Sequence, residues 1–261
     1  MSESRPDKMI IQTFGFGPSM TAQQSIRRAR KILLDLEEIS PWRRPFNVSG
    51  CTAATDDMRI AEDLSDFDKV VMHALQSYTE VRYYNEKEPD NLKLTPDSVS
   101  PYGFAETFSE ECSEKEYMDR VCVSLQSSGV QHQVSLDDSL YNIEIPAFES
   151  GQVNTAWSDP GVVFNIFNYF VDNFDPLGSV VFGRNQLNRI DTPESNYNMG
   201  WLNYTRDPKV AAVFSGTGKA VPYRNGVLLK FGDDVSALSD PKVDQELIEI
   251  RKRLRSVGVT V

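Results

Sequence analysis

The sequence contains few of the residues that build the commonest catalytic and metal sites. It has two histidines, His73 and His132, and three widely spaced cysteines, none of them in a CxxC pair. This argues against a disulfide framework or a zinc site and indicates reduced thiols in a reducing compartment. The motifs GxSxG, HExxH and DxDxDG are also absent. The sequence therefore predicts no metal ion, no cofactor and no catalytic residue.

Long apolar runs are missing as well. No stretch of about 18 consecutive apolar residues occurs, so the sequence predicts no membrane span. The first residues lead into only a short apolar run and lack the cleavage site of a secretory signal, which predicts a cytoplasmic protein. Hydrophobic residues make up 40% and charged residues 25% of the 261 positions, as in ordinary globular proteins.

Negative charge is abundant and unevenly distributed. The net charge is −11, and residues 1–60, 61–200 and 201–261 carry net charges of +2, −16 and +3. A field of this sign disfavours binding to nucleic acid and anionic membranes, and it accelerates encounter with a basic partner. A solvated acidic surface without any such partner explains the same composition.

The apolar pattern predicts an α+β protein with mostly antiparallel strands and helices packed on one face. Helical spacing indicates helices over residues 21–39, 65–78, 159–173, 207–214 and from residue 240 onward. Short alternating segments indicate strands around residues 9–16, 102–108, 121–125, 141–146, 180–184 and 198–205, and Arg224-Asn225-Gly226 predicts a hairpin. We expect one domain over residues 1–261, with the proline-rich stretch 85–101 as a subdomain junction.

A glycine-containing turn, Gly15 to Ser19, lies between the first strand and the first helix. Such a turn can hold phosphate at a helix N-terminus, and with scattered carboxylates it would suit a small enzyme. However, GxxxxGK[ST] is absent, and Met20 stands where GxGxxG requires its third glycine. The pattern favours a structural turn.

The stretch Gly200-Trp201-Leu202-Asn203-Tyr204-Thr205 resembles the Gly-Trp-x-x-Tyr signature of the immunity protein 52 family of bacterial polymorphic toxin systems. The order of the remaining elements is also similar to that family over most of the chain. We interpret Gly200 and Trp201 as a packing feature, because tryptophan buries a large apolar area and glycine permits close backbone approach.

The resemblance implies an immunity protein that binds and neutralises a cognate type VI secretion effector, a restriction-endonuclease-like DNase. The densest acidic stretch, residues 86–116, has a net charge of −6 and would suit a basic nuclease. We call the expected contact residues the predicted acidic surface: Glu86, Glu88, Asp90, Asp97, Glu106, Glu110, Glu111, Glu114 and Glu116, with Asp137 and Asp138 as an outlying patch.

The sequence leaves two alternatives open. One is the small cytoplasmic enzyme that uses the glycine turn, and the other is a self-assembling scaffold without a toxin partner. Homodimerisation is compatible with the scaffold and with the immunity protein alike.

Overall fold

The structure is a computed structural model that describes most of the chain. The described residues are 8–15, 17–49, 58–84, 94–100, 103–110, 121–127, 140–146, 148–149, 152–153, 156–157, 159–190 and 198–259.

Twelve strands and six α-helices lie within these ranges. The helices are α1 Ala22–Ile39, α2 Phe67–Tyr84, α3 Pro160–Phe174, α4 Arg184–Ile190, α5 Pro208–Ser215 and α6 Pro241–Ser256, with a 3₁₀ helix at Val235–Ser239. The strands are β1 Lys8–Phe14, β2 Phe46–Ser49, β3 Met58–Arg59, β4 Ala105–Glu110, β5 Cys122–Gln126, β6 Leu140–Pro146, β7 Phe148–Glu149, β8 Gln152–Val153, β9 Gly178–Gly183, β10 Leu202–Thr205, β11 Ala220–Tyr223 and β12 Gly226–Lys230.

The chain divides into two compact units. The first comprises Met1–Phe16 and Glu144–Val261, and the second comprises Gly17–Ile143. Of the predicted junction at residues 85–101, only residues 94–100 lie within the described part of the chain.

The first unit is built on antiparallel strands in the order β11-β12-β10-β9-β1. All six residues of β9 are buried, so both faces of this strand are covered. Leu187 of α4 packs against Ile10, Val180 and Phe182 on one face. On the opposite face the Tyr223 hydroxyl of β11 donates a hydrogen bond to Asn168 of α3.

These contacts confirm the predicted α+β class and its antiparallel pairing. They place helices on both faces of the first unit, rather than on one face only. The reason is the composition of β9, which is apolar or small at every position and therefore requires cover on each side.

Three helices of the first unit begin at an Asp-Pro pair. Asp159, Asp207 and Asp240 are N-caps whose carboxylates accept backbone N–H groups of the first turn, and a proline follows each of them. Proline suits this first position because its missing N–H would have no partner within the helix and its φ angle is already helical. These starts agree with the sequence prediction.

The second unit has strands in the order β6-β5-β4-β2-β3, with α1 and α2 on one face. Phe67 of α2 stacks on Phe108 of β4, at 5.9 Å between ring centroids. Because side chains alternate along a strand, Glu106 and Glu110 share this face with Phe108. The sequence prediction did not include β2, which pairs with β4.

Candidate functional site

Only three members of the predicted acidic surface lie within the described residues. Asp97 is exposed, in the turn that precedes the bridge between Val99 and Thr21. Glu106 and Glu110 lie on β4. The other eight lie outside the described residues: Glu86, Glu88, Asp90, Glu111, Glu114, Glu116, Asp137 and Asp138.

Glu106 is an interior residue, with 3% of its surface exposed. The Ser25 hydroxyl of α1 donates a hydrogen bond to its Oε1 at 3.0 Å. Its Oε2 is buried and has no hydrogen-bond partner among the described residues. Burial raises the pKa of Glu106 from 4.5 to about 8, although the Ser25 hydrogen bond opposes this rise. Glu106 therefore does not belong to an exposed contact surface.

The sequence around Glu106 indicates that its side chain points into the protein. A count of acidic residues does not use this information. Phe104 and Phe108 lie two residues before and after it, and both are buried. Alternation along β4 places Glu106 on the same face as Phe108. Strand periodicity therefore predicts burial here, against the usual preference of glutamate for solvent.

Glu110 is half-buried at the other end of β4. Its Oε1 accepts the backbone N–H of Arg43 at 3.3 Å, just beyond the end of α1. Burial raises the pKa of Glu110 from 4.5 to about 7, and the Arg43 N–H and guanidinium partly offset the increase. The Arg43 guanidinium itself donates to the carbonyls of Glu37, Ser40 and Trp42.

Tyr141 of β6 lies close enough to Glu106 for its titration to respond to that carboxyl. Arg28 of α1 donates to the Tyr141 hydroxyl at 3.4 Å. Burial raises the pKa of Tyr141 to about 12, against the opposing charge of Arg28. Serine, arginine and tyrosine side chains thus surround the buried carboxyl at the contact between α1 and the strands of the second unit.

A groove of about 340 Å³ lies between α1 and α2 on the outer side of the second unit. It is lined by Arg27, Arg30, Lys31, Leu34, Asp35 and Asp68. Two of its cations have acidic partners, since Arg30 lies 3.9 Å from Asp68 and Lys31 pairs with Asp35 at 2.5 Å. None of the described residues forms an ion pair with Arg27. The charges in the groove are thus largely compensated from within.

The backbone donors at the start of α1 are already engaged. The N–H groups of Ala22 and Gln23 donate to the carbonyls of Ser98 and Pro96 at 2.9 and 3.0 Å. Thr21 and Gln24 form a reciprocal capping box. A phosphate at this helix terminus would have to displace these bonds. The geometry agrees with a structural turn at Gly15 to Ser19.

The Gly200-Trp201 motif is a packing feature, as the sequence predicted. Trp201 is fully buried and meets the Phe164 ring edge to face at 5.7 Å. A Cβ at Gly200 would lie 2.2 Å from the Val181 carbonyl oxygen. The Asn203 side chain accepts the Gly200 N–H at 2.9 Å and donates to the Gly200 carbonyl at 2.7 Å. The motif thus fixes the entry into β10.

Within the described ranges, no group of three or more histidine, cysteine, aspartate or glutamate residues is placed to hold a metal ion. The helices in these ranges likewise include none long and apolar enough to cross a membrane.

The sequence matches no family model, and no curated protein sequence matches it significantly. The fold is similar to that of a solved Pseudomonas aeruginosa protein, the T6SS protein PA0821, where T6SS denotes the type VI secretion system. The TM-score is 0.56 at 9% sequence identity, and the match covers 95% of this chain and 73% of the other. This comparison shows a shared fold.

Proposed function

We propose that this protein is an immunity protein that binds and neutralises a cognate type VI secretion effector. The observation that carries the proposal is the structural match to a type VI secretion protein over 95% of the chain. The Gly-Trp-x-x-Tyr resemblance to the immunity protein 52 family points independently to the same biological system. In this proposal the chain performs no catalysis and acts in the cytoplasm by direct protein–protein contact.

The proposed target is a restriction-endonuclease-like DNase. An enzyme that grips DNA needs a basic surface, and the net charge of −11 on this chain would attract such a surface over long range. Rapid capture matters because the toxin must be inhibited before it cuts DNA. Glu106 is removed from the predicted acidic surface because its carboxyl is buried. Asp97 and Glu110 remain, together with the eight acids outside the described residues.

The test is a titration of DNA cleavage by the effector encoded next to this gene. We expect cleavage to cease near one-to-one stoichiometry and the two proteins to co-elute in gel filtration. Undiminished cleavage without a complex would refute the proposal for that effector. Sedimentation of the free protein and of the complex would show whether a homodimer forms and whether it persists on binding.

The contact surface is tested by charge reversal. Replacing Glu86, Glu88, Asp90 and Asp97 together by lysine should weaken binding to the effector at least about tenfold and reduce its salt dependence. Asp233→Lys is the control for a single charge reversal elsewhere, to be compared with Asp97→Lys, because the Asp233 side chain is fully exposed in the first unit, outside the predicted acidic surface. Equal affinities for the quadruple variant, the control and the wild type would show that the acidic surface does not contact the effector.

A further inference from the structure

Strand β4 holds helix α1 near both of its ends through carboxyl groups. Glu106 accepts the hydroxyl hydrogen of Ser25, in the first turn of α1. Glu110 accepts the backbone N–H of Arg43, four residues beyond the last residue of α1. Between them, Phe108 stacks against Phe67 of α2, so an apolar contact separates the two polar ones.

Among the described residues, neither carboxyl has the full set of partners that a buried ionised form requires. A buried carboxylate is stable only when cations or several hydrogen bonds compensate its charge. Glu106 has one neutral donor, Ser25, and its second oxygen has no partner in the described structure. Glu110 has one backbone donor at 3.3 Å.

The described parts of the neighbouring elements supply little further compensation. Arg28 of α1 donates to the Tyr141 hydroxyl of β6. The Arg43 guanidinium is bound to three backbone carbonyls at the end of α1. The described side chains of α2 that are buried are Phe67, Val71, Ala74, Leu75 and Ser77, and none is charged.

We propose that Glu106 and Glu110 form a pH-operated clamp that holds α1 against β4 while both carboxyls are neutral and releases it when they ionise. Ionisation places an uncompensated charge at each end of the contact. Water can reach the charge on Glu106 only if the helix separates from the strand, and separation also completes the solvation of the half-buried Glu110. Opening of α1 therefore becomes easier as the pH rises, and the effect is complete once both carboxyls are ionised in the closed state.

The pKa values of both groups support this direction. Burial raises the pKa of Glu106 to about 8 and that of Glu110 to about 7, from 4.5 for a solvated glutamate. The open state ionises near the ordinary pKa and the closed state ionises higher. Protons are thus released on opening, and higher pH favours the open state.

Hydrogen exchange of the α1 backbone amides tests the clamp. After correction for intrinsic exchange, protection of α1 in the wild type should fall about tenfold or more between about pH 6 and about pH 9. The double variant Glu106→Gln and Glu110→Gln should show no such fall, because an amide cannot ionise. Helix α3 of the first unit is the internal reference, and its corrected protection should not follow this trend in either protein.

Two further measurements keep the proposal testable if the double variant fails to fold. Ser25→Ala removes the hydrogen bond that lowers the pKa of Glu106, so the pH at which α1 loses protection should move upward. The wild type should also show the infrared band of a protonated carboxyl at about pH 7, which Glu106→Gln should diminish. The proposal would be overturned if protection of the α1 amides depended on pH in the same way in the wild type and in every variant. Absence of the infrared band at about pH 7 would also overturn it.

Discussion

Asp97 and Glu106 carry the same functional group in opposite environments. Asp97 is exposed in a turn, where water solvates its charge. Glu106 is buried between α1 and β4, where a single hydroxyl accompanies it. The surroundings of each carboxyl therefore decide its role, because removal from water determines whether the carboxyl is charged at neutral pH.

Glu106 should make the protein less stable at alkaline pH. Its pKa is raised to about 8 in the folded state, whereas an unfolded chain leaves it near 4.5. Below about pH 4.5 both states are protonated, and between about pH 4.5 and 8 only the unfolded state ionises. The free energy of unfolding therefore falls across this window, by about 3–5 kcal/mol for this group.

Urea unfolding of the wild type and of Glu106→Gln at several pH values measures this effect. The difference between the two free energies of unfolding cancels the contributions of the other titrating groups. We expect that difference to move in favour of the variant as the pH rises and to level off above about pH 8. A difference independent of pH would show that the Glu106 carboxyl titrates normally.

Gly200→Ala should strongly destabilise the first unit. A Cβ at this position would lie 2.2 Å from the Val181 carbonyl oxygen and 2.5 Å from the Phe182 Cβ. Since both atoms belong to buried strand β9, we expect a loss of at least about 3 kcal/mol in urea unfolding. Gly216→Ala is the control, because its φ is −67° and its nearest neighbour would lie at 3.4 Å. That variant should change stability by less than about 1 kcal/mol.

At the scale of secondary-structure elements, a buried polar network joins α4, the 3₁₀ helix and α6. Asp244 of α6 accepts from the Gln186 amide at 3.3 Å and from the Arg189 Nε at 2.6 Å. The same two side chains of α4 donate to the carbonyls of Ala237 and Leu238 in the 3₁₀ helix. Asp244 has only 6% of its surface exposed, so water cannot readily replace it.

Asp244→Ala should therefore cost about 2–3 kcal/mol in equilibrium unfolding, because it leaves buried donors without their acceptor. Glu246→Ala is the matched control on the same helix. Glu246 pairs with Lys219, and both side chains are exposed by more than 40%. Exposed pairs contribute about 0–1 kcal/mol, so the control should have little effect. Equal losses in the two variants would show that the network does not hold the three elements together.

At the scale of the whole molecule, the fold and the net charge concern different properties. The fold shared with a solved Pseudomonas aeruginosa protein covers 95% of the chain at 9% sequence identity. The net charge of −11 affects how a charged partner approaches the protein through solution. Charge of this kind acts chiefly on the rate of association.

The association rate with the proposed DNase effector should fall about tenfold or more between about 50 mM and about 500 mM salt, because salt screens long-range attraction. Stopped-flow mixing measures this rate, while the dissociation rate should change much less. Sucrose at matched viscosity controls for slower diffusion. A rate independent of salt would mean that the acidic charge does not steer the encounter.

The sequence by itself determined the local features of this protein. The Asp-Pro starts of α3, α5 and α6 and the Arg224-Asn225 turn depend on neighbouring residues, and all were predicted from them. The packing role of Gly200 and Trp201 was predicted as well, because residue size and apolarity alone suggest it. Tertiary structure decided the rest. Ser25 and Glu106 are 81 residues apart in the chain, and their contact buries a carboxyl that a count of charges assigned to the surface. The second helical layer of the first unit was not predicted, because α4 follows β9 directly and is too short, at seven residues, to show a clear helical period in the sequence.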